Sequence, residues 1–153
     1  MIAITGATGQ LGRLVLQNLL KTVPASQIVA AVRSPEKAAD LAALGVQVRQ
    51  ADYVQPATLE AAFQGVDKLL LISSSEVGQR ATQHAAVIAA AQKAGVKLLA
   101  YTSLLRADTS PLALAAEHKE TEAMLRASGL PHVLLRNGWY TENYTGSVGA
   151  PIQ

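Results

Sequence analysis

Apolar residues are spread along this chain in two alternating patterns. Short aliphatic or β-branched runs lie at 2–5, 28–32, 46–49, 68–73, 97–102 and 132–136. Most are continuous rather than alternating, as in strands covered on both faces. Between them, Ala- and Leu-rich stretches at 10–22, 35–44, 57–64, 77–94 and 111–128 space their apolar residues as helices do. In the stretch 77–94, Val77, Ala81, Ala85 and Ile88 fall on one face and Gly95 follows as a stop signal. That stripe would serve equally as a homodimer face or as packing against a sheet. Ser34-Pro35 and Ser110-Pro111 read as helix starts, an N-cap followed by a first-turn proline. Six strands alternating with helices predict an α/β fold, a Rossmann-type doubly wound parallel sheet of about six strands with right-handed crossovers.

Composition narrows the picture. A length of 153 residues suits one domain, and with half the residues hydrophobic and 16% charged, disorder and a coiled coil are excluded. The 13 basic and 11 acidic side chains are scattered, and few aromatics are present to stack bases, so no nucleic-acid partner is expected. The absence of cysteine excludes disulfides, zinc-thiolate sites and thiol nucleophiles. The N-terminus turns to glycine after five residues without a basic region, and no apolar run is long enough to span a membrane. A soluble, cytoplasmic protein is expected, with no membrane partner.

In a doubly wound sheet, ligands bind beyond the carboxyl ends of the strands. The first strand end carries Thr5-Gly6-Ala7-Thr8-Gly9-Gln10-Leu11-Gly12 and runs into a helical pattern. Gly6 would permit the tight turn, Gly9 the approach of a pyrophosphate, and Gly12 close packing of helix on strand, with free amides facing the anion. The alternative is a plain turn before a helix; a Walker A loop is excluded because no Gly-Lys-Ser/Thr follows. At the second strand end, where an NAD enzyme places Asp or Glu, stands Arg33, 21 positions after Gly12. A guanidinium there would pair with a 2′-phosphate, so NADP(H) is expected; otherwise Arg33 is a surface residue. Asp52 and Tyr53 would flank an adenine, the carboxylate toward its amino group, or form an ordinary loop. Ser73, Ser74 and Ser75 would pass near the inner ribose and nicotinamide, or form a polar turn.

Strand five ends in Tyr101-Thr102-Ser103, where short-chain dehydrogenases carry a catalytic serine, but four positions before Lys119 stands Ala115, so the Tyr-x-x-x-Lys pair is missing. A ketone's alkoxide needs a proton donor, since its conjugate acid has a pKa near water's ~15.7, whereas a quinone gives a phenolate near ~10, a difference of about 8 kcal/mol. A site without an acid suits the second acceptor. His118, with Glu122 four residues on, is the one candidate catalytic acid, the alternative being an exposed helix pair. No metal site is expected, for His84 and His132 complete no ligand set. After the last strand, Asn137-Gly138-Trp139-Tyr140-Thr141-Glu142 would frame a nicotinamide, and Tyr140 with Asn143 an acceptor ring, unless the aromatics only plug the core.

Gly6-Ala-Thr-Gly-Gln-Leu-Gly12, Ala51-Asp-Tyr53, Leu69-Leu-Leu-Ile-Ser-Ser-Ser-Glu-Val-Gly-Gln-Arg80, Tyr101-Thr-Ser-Leu104 and Leu135-Arg-Asn-Gly-Trp-Tyr140 together resemble the bacterial NADPH-dependent quinone oxidoreductases. These are atypical short-chain dehydrogenases near the NmrA-like proteins and triphenylmethane reductase. The resemblance implies NADPH held by Gly6 through Leu11, Arg33, Ser73 to Ser75 and the segment from Asn137 to Glu142, with hydride passed directly to a quinone, without flavin. It also implies an NADP(H)-binding domain over 1–145 and a short tail over 146–153, most of the family's C-terminal substrate region being absent. A non-catalytic NADP(H)-sensing module that binds a protein partner is the alternative. A nucleotide-sugar epimerase is disfavoured, since that chemistry needs the missing tyrosine.

Overall fold

A computed structural model describes residues 1–145. Its elements follow in the order β1 (Ile2–Thr5), α1 (Gln10–Leu19), β2 (Ile28–Val32), α2 (Ala39–Ala43), β3 (Gln47–Gln50) and α3 (Pro56–Ala62). Then come β4 (Lys68–Leu71), α4 (Arg80–Lys93), β5 (Leu98–Leu104), α5 (Leu114–Ala127), β6 (His132–Asn137) and α6 (Glu142–Thr145). All six strands pair in parallel in the order β3-β2-β1-β4-β5-β6, the doubly wound topology expected. The order reverses between β1 and β4, which opens a crevice at their carboxyl ends.

Side chains alternate across the central strands and feed two cores. Ala3, Val29 and Ala31 join Leu59, Phe63, Leu71, Val87, Leu99 and Leu125 on one face; Ile4, Ile28, Ala30 and Val32 join Leu16, Leu41 and Val46 on the other. Each fully buried Leu or Phe among them contributes about 1.5–3 kcal/mol. The tail 146–153 lies outside the described residues. Among the described residues, no helix is long and apolar enough to cross a membrane.

Several local expectations are corrected. β4 stops at Leu71 rather than 73 because side chains take over the next amides: Ile72 N–H donates to Thr5 Oγ1 (3.0 Å) and Ser73 N–H to Thr102 Oγ1 (2.9 Å). β5 runs on to Leu104, held by β6 through the register Leu104↔Asn137. β6 is an edge strand whose exposure alternates, leaving Val133 and Leu135 44% and 39% exposed. The stretch 35–44 divides into a 3-10 turn, Pro35–Ala38, and the short α2; Ser34 makes no capping hydrogen bond. Ser110-Pro111 likewise precedes a turn, and α5 begins only at Leu114.

The stripe expected on α4 is displaced. Val77 lies before the helix and is 79% exposed, whereas the buried face carries Gln83, His84, Val87, Ile88, Ala90 and Ala91. That face packs inside the chain, beside α3 and α5. Gly95 does end the helix: at φ +70 it lets its own N–H reach the Gln92 carbonyl (3.1 Å) and that of Val96 reach Ala91 (3.0 Å), the paired bonds of a glycine stop.

Candidate functional site

The crevice is lined first by the turn between β1 and α1. Gly6 takes φ +59, which only glycine adopts without strain, and its carbonyl accepts from Gly9 N–H at 3.0 Å. α1 has no side-chain cap and no acidic residue in its first turn, and its first internal bond runs from Arg13 N–H to Gly9 O at 3.0 Å. The amides of Gln10, Leu11 and Gly12 therefore lack an intrahelical acceptor, and a helix start in this state accommodates an anion. A Cβ on Gly12 would overlap the Gly6 carbonyl oxygen and Ala7 Cα, so this glycine lets helix and turn touch.

The cleft beyond this turn measures about 520 Å³. Of the residues picked out in the sequence, it brings together Gly6, Thr8, Gly9, Arg33, Asp52, Tyr53 and Ser73 to Ser75. Ala7 and Gly12 are buried behind the turn, and Gln10 and Leu11 lie in the first turn of α1 without lining the cleft. Beyond these, the lining takes in the apolar Ala31, Val32, Ala51, Val54 and Ile72 and two polar residues that sequence reasoning missed, Glu76 and Gln83. A carboxylate just past Ser73-Ser74-Ser75 was a usable signal for the first. Gln83 gave none, because a polar residue on the buried side of a helix is invisible to an apolar pattern.

The Asp52 carboxylate, in the cleft lining, is also bonded to its own loop. Oδ1 accepts from Val54 N–H and Oδ2 from Gln55 Nε2, each at 3.1 Å, so the group shapes its own loop. Tyr53 donates to the Ile72 carbonyl at 3.3 Å, and burial pushes its phenol up to about 12.

The serine loop is clamped from behind. Ser74 N–H donates to His84 Nε2 (3.0 Å), and Arg80 Nε donates to Ser74 O (2.7 Å). Arg80 pairs with Glu117 on α5 at 2.5 Å, and the second Glu117 oxygen accepts from Gly78 N–H at 2.9 Å. Thr121 Oγ1 already donates to the Glu117 carbonyl (2.9 Å), so at 3.0 Å it accepts from His84 Nδ1–H. His84 is thus a neutral ring with a fixed tautomer, and burial, then Arg80 and His118, lower it to about 3.

His118 does not line the cleft, and the expected partnership with Glu122 is absent. The ring is buried with Nδ1 2.6 Å from the Tyr101 hydroxyl, and burial followed by Arg80 lowers it to about 4. Glu122 is not an exposed helix residue either, being wholly buried. It accepts from Ser103 Oγ (2.6 Å), Arg136 Nε (2.9 Å) and Nη2 (2.6 Å), and Arg126 Nη2 (2.8 Å). Burial alone would raise its carboxyl, but these bonds, Arg136 foremost, bring it down to about 2. Ser103, where a dehydrogenase serine would stand, is spent on this cluster.

The segment after β6 lies apart from the cleft lining. Asn137 Nδ2 donates to Tyr140 Oη at 3.0 Å, Trp139 is 50% exposed, and Gly138, Thr141, Glu142 and Asn143 are exposed. The aromatics do not plug the core. Among the described residues, no His, Cys, Asp and Glu group could hold a metal ion.

A parallel sheet of this order, with a glycine turn and a bare helix start at its switch point, defines a dinucleotide-binding domain. The chain belongs to the NAD(P)H-binding family, whose profile matches residues 6–151. It is 68% identical over all its 153 residues to quinone oxidoreductase 2 of Escherichia coli K12, covering 54% of that protein. The fold superposes on the E. coli NADPH-dependent quinone oxidoreductase complexed with NADPH at a TM-score of 0.95, with 69% identity over 98% of this chain and 53% of that one. For the Citrobacter triphenylmethane reductase complexed with NADP(H), the TM-score is 0.93 and the identity 49%, over 98% of this chain and 54% of that one. The chain spans about half the length of the curated relatives it matches.

Proposed function

We propose that this chain is the NADPH-binding part of an oxidoreductase that reduces a quinone-type acceptor. The observation that carries the reading is the cleft itself, with Gly6 and Gly9 at the switch point and Arg33 across from them at the end of β2. The free amides of Gln10, Leu11 and Gly12, with the turn Gly6-Ala7-Thr8-Gly9, take the pyrophosphate. Arg33 takes the 2′-phosphate, and Tyr53, with the Asp52 loop, bounds the adenine. Ser73 to Ser75 and the segment Asn137, Gly138, Trp139, Tyr140, Thr141 and Glu142 bound the inner ribose and nicotinamide. Tyr140 and Asn143, past the carboxyl end of β6, face the acceptor.

NADPH, when bound, supplies the hydride. No protein acid is assigned to protonate the reduced acceptor: His118 is turned onto Tyr101 and Ser103 onto Glu122. An acceptor whose reduced form is a phenolate suits such a site, since water can protonate it afterwards. The enzymes of the quinone and triphenylmethane reductase type among the relatives favour this reading over a regulatory module.

The test is turnover. The protein at the length of its relatives, mixed with NADPH and a simple benzoquinone, is expected to oxidise NADPH in proportion to quinone consumed, without added flavin. Failure with every simple quinone would refute quinone reduction while leaving cofactor binding to be judged separately.

A further inference from the structure

Arg33 already has a partner across the cleft. Its Nη1 donates to Glu76 Oε1 at 3.2 Å, an ion pair between positions 43 apart that reaches from the end of β2 to the segment after β4. The other carboxylate oxygen, Oε2, accepts from Gln83 Nε2 at 2.7 Å. Gln83 is only 5% exposed, and because its amide nitrogen faces the carboxylate its orientation is fixed. Its Oε1 is left buried without a hydrogen-bond partner among the described residues. Glu76 is further held by its own N–H, which donates to Ser74 Oγ at 3.2 Å. The Glu76 side chain is itself 48% exposed but is tied from within the fold by the buried Gln83, whereas the Arg33 side chain is 70% exposed. The other acid in the lining, Asp52, is bonded to its own loop, and Glu76 is the acid that meets the cleft's cation.

We propose that Glu76 is a selectivity residue: a tethered carboxylate that competes with the 2′-phosphate of the cofactor for the Arg33 guanidinium. The inference rests on the reading of Arg33 as the phosphate's partner. A carboxylate and a phosphate ask for the same planar fork of donors. The freer member of the pair is Arg33, so it is Arg33 that changes partner when the phosphate arrives. Glu76, kept in place by Gln83 and Ser74, then stands as a like charge in the same end of the cleft. Releasing Glu76 instead would strand the Gln83 amide with neither of its polar atoms paired. Either route weakens ligands that carry a 2′-phosphate and spares those that lack it, which narrows the preference for NADPH over NADH.

Binding of 2′,5′-ADP and of 5′-AMP, measured calorimetrically on the wild type and on Glu76→Gln, isolates this effect, since the two ligands differ only by the 2′-phosphate. The glutamine keeps the size of the side chain and an acceptor for Gln83 while removing the charge. At low ionic strength, Glu76→Gln is expected to bind 2′,5′-ADP about 3- to 10-fold more tightly, with a gain that shrinks as salt is added. Its affinity for 5′-AMP is expected to stay within about twofold of wild type, since that ligand carries no second anion to be repelled. An unchanged or weaker 2′,5′-ADP affinity, or an equal gain for 5′-AMP, would overturn the proposal. A wild type that does not discriminate 2′,5′-ADP from 5′-AMP would refute the Arg33 reading beneath it. Clear discrimination by the wild type with no response in Glu76→Gln would refute the role of Glu76 alone.

Discussion

Two buried histidines, His84 on α4 and His118 on α5, are each lowered well below the ordinary imidazole value, to about 3 and about 4. Burial is the main cause for both, and Arg80 adds to it. A depressed pKa means that between about 6.5 and 4 the unfolded chain binds protons that the folded chain refuses. Stability is then complete above about pH 6.5 and falls as the pH drops, by up to about 1.4 kcal/mol per pH unit for each histidine. Glu122, lowered to about 2, adds a further loss only below its ordinary value of 4.5. Urea unfolding at pH 7, 6 and 5 should show this slope, and His118→Gln should remove about half of it between those values, since one of two equal contributions is deleted. An unaltered slope would mean that His118 titrates normally in the fold. Neither burial was legible in the sequence, where His118 and Glu122 read as a helix pair at spacing four. What the spacing cannot reveal is that the strand below them presents Tyr101 and Ser103 as partners.

At the scale of elements, the strands were the most legible part, because a strand buried on both faces must be apolar throughout. β1 and β2 follow the sequence runs residue for residue. Ends were less legible where side chains replaced the ladder, as Thr5 and Thr102 do beyond β4. The stripe of α4 was placed to one side of the true face: Ala81 and Ala85 are only partly buried, and the buried side runs through the polar Arg80, Gln83 and His84, which an apolar pattern passes over. The β1–α1 junction, by contrast, was read from its glycines alone, and the structure gives Gly6 and Gly12 distinct physical reasons, a positive φ and a close backbone contact. Gly12→Ala tests the sharpest of them. Its Cβ would meet backbone rather than a movable side chain, so the helix must shift from the turn, at a cost of about 1–3 kcal/mol by analogy with overpacking. NADPH affinity is expected to fall at least about tenfold along with it, since the same amides are the ones proposed to take the pyrophosphate. Thermal unfolding and cofactor titration on one sample would check both; a loss of stability with intact affinity would separate the turn from the anion site.

For the molecule as a whole, topology does what no single motif could. The order β3-β2-β1-β4-β5-β6 brings residues 6, 33, 53 and 74 to one cleft, and that convergence made the sequence's scattered candidates a site. The segment after β6 is the part the topology leaves outside the lining, and its assignment to nicotinamide and acceptor rests on its place at the sheet's carboxyl edge. The proposed role of Arg33 in making this an NADPH cleft is tested most directly by the pair of dissociation constants for NADPH and NADH, on wild type and on Arg33→Asp. In the wild type, NADPH is expected to bind at least about tenfold more tightly than NADH, and Arg33→Asp to abolish that preference, as loss of a charge-assisted pair to the 2′-phosphate demands. Equal affinities in the wild type, or an equal loss of both in Arg33→Asp, would contradict it.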